Sequence, residues 1–361
     1  MPAGLRRGEL LSQRARVAVV CSGRGMSRTV IEMLADALID IVTVVVERSE
    51  YAAASDQDAL VRTCDSLDIP ILVVDRSSDS LVVATMTSLA PDLLLAIDDR
   101  RPISPALLAC ASLGGVGLHP SLLPDYPGPD AINWAILRGE TATGVTIYLL
   151  DQQAGVRADR HAGAPDRTGA IVARRSVRIG PNDTCAEIYV RTGEAGAELL
   201  VEQLPALLSG LALPEAQPLD RGVPQLPART PDMGVIDWTW SARAVHDWVR
   251  ALTVPCSGAF TMLGRNRVMI WATRLPSPRE PIGPPGQVIG FDRGGVRVGV
   301  HGGSIVVSRM SYADNPPAPA ALWCRVSGVD VGARFELVAA DPGAWSRGAG
   351  TAAGMARRSV S

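Results

Sequence analysis

The segment Gly114-Gly-Val-Gly-Leu-His-Pro-Ser-Leu-Leu-Pro-Asp-Tyr-Pro-Gly128 decides how the rest of the chain is read. Gly114–His119 is a short apolar run that reads as a buried strand, and it stops where Pro120 begins a proline-bounded turn. A lone histidine in an apolar strand is usually a satisfied core residue. His119 is instead the last residue of its strand, which places it at the carboxyl edge of the sheet, where open α/β sheets bind ligands.

Working outward toward the N-terminus, Arg16–Cys21, Ile41–Val46, Pro70–Asp75 and Leu93–Asp98 are apolar runs of strand length, rich in β-branched residues. Between them Ser27–Leu38, Ser55–Ser66 and Ser80–Leu89 read as helices, each opening at a serine suited to N-capping. On the other side come a helix over Asp130–Leu137, a strand Gly144–Leu150, a return strand Ala170–Arg178, and a helix from Asp183 or Thr184 to Leu208. Strand and helix in alternation predict a doubly wound, Rossmann-like α/β domain with right-handed crossovers.

The texture changes at Gly210. Prolines and weak periodicity as far as 232 predict a linker, and one helix (Ser241–Leu252) then precedes strands at Ala259–Leu263, Arg267–Ala272, Gln287–Phe291, Val296–His301 and Ser304–Met310. Short strands separated by Gly- or Asp-bearing turns predict a small OB-like β-barrel. The expected division is an N-terminal extension 1–15, an α/β domain 16–209, a linker 210–232, a barrel domain 233–340 and a disordered tail 341–361.

Composition sets outer limits. With 361 residues, 47% of them hydrophobic and 20% charged, the chain can bury two cores. Its 35 basic residues are all arginine, scattered and offset by 37 acids, so no nucleic-acid partner is expected. No apolar run reaches membrane-spanning length and the N-terminus has no apolar leader core, so neither membrane nor secretion is expected. The cysteines Cys21, Cys64, Cys110, Cys185, Cys256 and Cys324 form neither a metal-ligand spacing nor a disulfide framework, which suits a reducing cytoplasm.

Two segments carry chemistry. In Cys21-Ser-Gly-Arg-Gly-Met-Ser27 the glycines between strand and helix let backbone N–H groups approach an anion, so Ser22, Gly23 and Gly25 are candidate substrate-binding residues. A simple tight turn explains the same glycines equally well. The second segment is the turn after His119, where the chain resembles the folate-dependent formyltransferases. His119-Pro-Ser-Leu-Leu-Pro-x-Tyr-Pro-Gly128 and Ser22-Gly-x-Gly25 are similar to the glycinamide ribonucleotide branch. Asn133-Trp134 and Gly139-Glu-Thr-x-Thr-Gly-Val-Thr146 are similar to the branch that formylates nucleotide-linked amino sugars. Thr168-Gly-Ala-Ile-Val172 and Gly180-Pro-Asn-Asp-Thr184 follow the family order. Gly234-Val-Ile-Asp-Trp238, Arg250-Ala-Leu-Thr253, Gly258-Ala-Phe-Thr261 and Ile270-Trp271 resemble the C-terminal barrel of methionyl-tRNA and sugar formyltransferases.

The resemblance implies 10-formyltetrahydrofolate as donor, a small-molecule amine as acceptor, and three working side chains: an Asn and a His two residues apart, and an Asp on a later loop. An amine attacking a formyl carbon needs donors for the developing oxyanion and a group to shuttle the proton. His119 stands at the His position and Gly117 at the Asn position. Arg167 occupies the Asp position, one place from Asp166, in a loop enlarged by about a dozen residues around Gly155–Pro165. The implied catalytic residues are therefore His119 and Asp166, with Asp151 and Asp159 as other candidates. Ile97, Asp98 and Asp99 occupy the donor loop that is aromatic in the sugar branch, so its wall is expected to be more polar and folate binding weaker. Gly117 joins them on the donor side, and Ser121 and Asn133 on the substrate side. His161, His246 and His301 read as a loop, a helix surface and a hairpin turn. Two other readings stay open: a catalytically inactive homologue serving as a binding or scaffold subunit, and the same fold working with another donor or as a hydrolase.

Overall fold

The computed structural model describes residues 15–23, 25–48, 54–98, 101–150, 169–217, 227–275, 281–293, 295–313 and 315–336. The expectations for the N-terminal extension, the enlarged loop with Asp151, Asp159, Asp166 and Arg167, the residue Asp99, and the C-terminal tail lie outside these residues. The described residues cluster into two compact units that divide between 217 and 227, with 136–139 grouped with the second.

In the first unit β1 (Arg16–Cys21), β2 (Asp40–Glu47), β3 (Ile71–Val74), β4 (Leu93–Ile97), β5 (Gly115–His119), β6 (Ala142–Leu149) and β7 (Ile171–Arg178) form one sheet of order β3-β2-β1-β4-β5-β6-β7. Pairing is parallel from β3 through β5, and β5–β6 and β6–β7 are antiparallel. The helices are α1 (Gly25–Asp36), α2 (Ala54–Ser66), α3 (Ser80–Leu89), α4 (Pro105–Leu108), α5 (Ala131–Leu137) and α6 (Cys185–Leu208). This is the expected Rossmann-like α/β architecture.

Both faces of the sheet are buried, which explains why β1, β2 and β4 read as continuous apolar runs. One face packs Ala18, Val20, Val45 and Leu94 against Val82 and Met86 of α3 and Leu107 and Leu108 of α4. On the other face α6 approaches so closely that a Cβ on Gly196 would lie 2.9 Å from Leu118 Cδ2, and one on Gly193 3.1 Å from Thr29 Cβ of α1. Two small residues one turn apart thus let the long helix settle onto α1 and the sheet.

The expected serine caps need correction. Ser27 lies inside the first turn of α1 and is fully buried, Ser55 is within α2, and Ser80 is the first residue of α3 behind Asp79, whose side chain makes no capping bond. A helix begins where tertiary packing lets it, and a serine one or two places further on gives the same local signal. Thr184 is a true cap: its hydroxyl accepts from the Glu187 N–H while the Glu187 carboxylate accepts from the Thr184 N–H. Early in the linker, Glu215 and Ile171 exchange backbone hydrogen bonds of 2.7 and 2.8 Å, so that stretch adds a bridge beside β7.

The second unit holds α7 (Ala242–Leu252), β8 (Ala259–Leu263), β9 (Asn266–Arg274), β10 (Val288–Asp292), β11 (Gly295–Val300), β12 (Gly303–Tyr312), β13 (Ala318–Pro319) and α8 (Ala320–Ser327). The expected barrel strands form an antiparallel sheet of order β10-β11-β12-β9-β8, with β13 on β12. Its core is aromatic: Trp238 stacks on Phe335 at 5.7 Å and Trp240 meets Trp248 edge-on at 4.9 Å. His246, expected on the helix surface, is buried with Nδ1 2.9 Å from Thr273 Oγ1. The α7 pattern tolerates this because a hydroxyl on β9 supplies the polar partner that a buried imidazole requires. No helix among the described residues is long and apolar enough to cross a membrane.

Candidate active site at the end of strand β5

Strand β5 ends at His119 because the following prolines forbid further pairing, and the chain turns back over the strand end. Three bonds hold this turn. The Thr146 hydroxyl on β6 donates to the Ser121 carbonyl at 2.7 Å and accepts from the Leu123 N–H at 3.0 Å. The Ser121 hydroxyl donates to the Asp125 carbonyl at 2.7 Å. The turn then delivers the Tyr126 carbonyl to His119, with 2.8 Å between that oxygen and Nε2. A carbonyl can only accept, so Nε2 carries the proton and Nδ1 is the nitrogen whose protonation can change. His119 is 1% exposed, so its imidazole lies out of bulk water.

Register puts His119 opposite Thr146 and Gly117 opposite Tyr148. Residues two apart on a strand share a face, so 117, 119, 146 and 148 all point the same way. Gly117 is in close contact with its cross-strand partner: a Cβ there would lie 2.2 Å from Tyr148 Cζ. The aromatic ring occupies the volume that any side chain at 117 would need. An asparagine could not be placed there without moving Tyr148.

Asp98 follows β4 directly, in the row beside His119. Its N–H donates to the Leu118 carbonyl at 3.1 Å, its φ is +44°, and it is 3% exposed. Rather than an open polar wall, it is a buried carboxylate close to the Cys21 thiol. Burial is the main reason that thiol is pushed up to about 12, and the nearby Asp98 charge adds to the effect. Ile97 is fully buried in β4. In the β1–α1 turn Gly23 has φ +76°, and a Cβ would lie 2.9 Å from Gln57 Cγ, so glycine is required there on both counts. Gly25 opens α1, and no described residue would lie within 4 Å of a Cβ there. The Ser22 hydroxyl is buried and has no hydrogen-bond partner among the described residues.

Asn133 sits on α5 with its Oδ1 accepting from the Tyr189 hydroxyl at 3.3 Å, which ties α5 to α6. The Ser121 hydroxyl and the Asn133 amide oxygen are therefore engaged inside the protein. The residues that sequence reasoning missed are Tyr126, Thr146 and Tyr148. Thr146 and Tyr148 are invisible without the β5–β6 register, because nothing local links positions some thirty residues apart. Among the described residues no group of His, Cys, Asp and Glu is arranged to hold a metal ion.

Residues 15–204 match the family model described as formyl transferase, and residues 229–328 match that of the formyl transferase C-terminal domain. Among solved structures, HypX from Aquifex aeolicus in complex with tetrahydrofolic acid aligns at 19% identity, covering 86% of this chain and 47% of its own, with a TM-score of 0.60. The chain therefore spans about half the length of the HypX structures it matches. WlaRD, a sugar 3N-formyl transferase crystallised with dTDP and 5-N-formyl-THF, aligns at 15% identity over 84% of this chain and 100% of its own, TM-score 0.54. A sugar N-formyltransferase from a Shewanella species aligns at 16% over 72% and 97%, TM-score 0.51. At these identities the likeness to the three structures is one of fold.

Proposed function

The chain belongs to the formyl transferase family, and from that premise we propose that it transfers a formyl group from a reduced folate to an amine of a small molecule, with His119 handling the proton. The observation that carries this reading is His119 itself: a buried imidazole at the carboxyl end of β5, oriented through Nε2 by the Tyr126 carbonyl. When bound, 10-formyltetrahydrofolate supplies an activated one-carbon acyl group.

The residues present fit such a donor. The pyrimidine ring of a reduced folate carries N–H donors, and Asp98 supplies a buried carboxylate acceptor at the strand edge next to His119. Nδ1 of His119 accepts the proton that the attacking amine must lose and returns it to the departing nitrogen. The Tyr126 carbonyl accepts from Nε2–H whether the ring is neutral or cationic, so the imidazole keeps its orientation during transfer. On the acceptor side, Ser22, Gly23 and Gly25 at the start of α1 offer a hydroxyl and backbone N–H groups to an anionic substituent such as a nucleotide phosphate. Ser121 and Asn133 keep the walls in place. A nucleotide-linked amino sugar meets these requirements, and the fold likeness to WlaRD supports that class.

The test is to incubate the protein with 10-formyltetrahydrofolate and a panel of amines that includes nucleotide-linked amino sugars, reading products by mass spectrometry. Formylated product is expected with at least one member, and His119→Ala should lower its rate by about 10²–10⁴. No product from any amine, or full activity in His119→Ala, would overturn the reading.

A further inference from the structure

We propose that Glu140 is a positioning residue for His119, acting through Tyr126. The inference rests on the formyl-transfer reading above, and it gives a role to the acid that opens the segment after Gly139. Two hydrogen bonds join the three residues. Glu140 Oε1 accepts from the Tyr126 phenol at 2.6 Å, and the Tyr126 carbonyl accepts from His119 Nε2 at 2.8 Å. The first has the short length of a hydroxyl donating to a carboxylate.

Glu140 is a fixed point. Helix α5 closes at Gly139, whose φ is +72°, with the Gly139 N–H donating to the Ile136 carbonyl at 2.9 Å and the Glu140 N–H to the Ala135 carbonyl at 3.0 Å. This pair of bonds is a glycine stop that ties the Glu140 backbone to the helix end, and β6 begins two residues later. Tyr126 is less secure. It has φ +53° directly before Pro127, where the backbone prefers to be extended. Such a conformation persists only where its surroundings over-determine it. The bonds made by Thr146 and Ser121 hold the turn as far as the Asp125 carbonyl, one residue short of the group that orients His119. The bond to Glu140 holds the next residue by its side chain, and the carbonyl on that residue keeps its direction toward Nε2. Glu140 is exposed, so the bond adds little to overall stability. What it secures is the histidine tautomer, with the proton on Nε2 and Nδ1 left to take the proton of the amine.

The experiment uses the full chain labelled with ¹⁵N-histidine, the His119 signals being identified by their loss in His119→Gln. At a pH where the ring is neutral, wild type should show a pyrrole-type signal for Nε2 and a pyridine-type signal for Nδ1, as a single tautomer does. In Glu140→Ala and in Tyr126→Phe the two signals should move toward each other as the second tautomer becomes populated. Glu140→Gln, whose amide oxygen can accept the same phenol bond, should resemble wild type. Urea midpoints should stay close to wild type in all three variants, a combination that a merely structural role would not give. With any amine formylated in the panel above, Glu140→Ala should lower kcat by about 10–10² at unchanged KM. Wild-type signals in both Glu140→Ala and Tyr126→Phe overturn the inference and leave the formyl-transfer reading standing. A change of equal size in Glu140→Gln and Glu140→Ala overturns it as well. A changed tautomer in a protein that formylates no amine supports the link from Glu140 to His119 and overturns the formyl-transfer reading instead.

Discussion

The Tyr126 carbonyl oxygen lies 2.8 Å from His119 Nε2, and the residue that presents it has a backbone φ of +53°. A non-glycine residue in the left-handed region is costly unless its surroundings hold it there. Here the Tyr126 phenol donates to Glu140 at 2.6 Å, anchoring the side chain while the main chain orients the histidine. Removing the side chain therefore separates two effects. Tyr126→Gly should be more stable than Tyr126→Ala by about 1 kcal/mol, since only glycine adopts this φ without a Cβ penalty. Urea denaturation of the two variants measures the difference, and equal stabilities would contradict it.

Gly117 and Gly25 should respond in opposite ways to alanine. At Gly117 the added Cβ must displace the Tyr148 ring, which should cost about 1–3 kcal/mol, typical of overpacking. At Gly25, the first residue of α1, no described residue lies within 4 Å of the new methyl group. Gly25→Ala should be neutral, or stabilising by up to about 1 kcal/mol, because alanine gives up less backbone freedom. Chemical denaturation of both variants checks the contrast.

Asp98 should govern donor binding. Saturating 5-formyltetrahydrofolate is expected to raise the wild-type melting temperature, because a ligand of the native state stabilises it by mass action. In Asp98→Ala the rise should shrink or vanish. A full-sized rise in the variant would remove Asp98 from the donor site.

The buried thiols set an alkaline limit on stability. Burial pushes Cys21 up to about 12, and Cys64 and Cys324 each up to about 11, from an ordinary value of 9.0. Above pH 9 the unfolded chain releases these protons while the folded chain keeps them. Their stabilising contribution is thus complete below pH 9 and is lost as pH rises toward 11–12, at about 1.4 kcal/mol per pH unit for each thiol. Cys21→Ala should flatten the alkaline fall in unfolding free energy. In the native protein Cys21 should react with iodoacetamide only on unfolding.

In the second unit, Asp247 accepts from Arg250 Nε at 2.6 Å and from Arg243 Nε at 2.8 Å, with Asp247 and Arg250 both buried. Asp247→Asn would leave the Arg250 cation without its carboxylate partner and should cost about 3–5 kcal/mol. Arg243→Ala, which removes the partly exposed partner, should cost far less. Thermal unfolding of the two variants distinguishes them, and comparable losses would mean that the buried pair is not what α7 depends on.

Local order in the sequence was enough for the architecture. Alternating β-branched runs and helix-length segments specify a doubly wound sheet because its inner parallel strands are buried on both faces, and that requirement shows in β1, β2 and β4 separately. Thr184 and Glu187 announce the start of α6 because a capping box is closed within four residues. His119 could be placed at a ligand edge because Pro120 ends its strand. What needed the tertiary structure is whatever depends on register or on close approach between elements. The serines of α1 and α3 offered local caps that packing did not use, and His246 looked solvent-facing until Thr273 was seen to meet it. Gly117 read in isolation is a lost asparagine. Beside Tyr148 it is the clearance for an aromatic ring, and only the antiparallel pairing of β5 with β6 puts those two residues face to face.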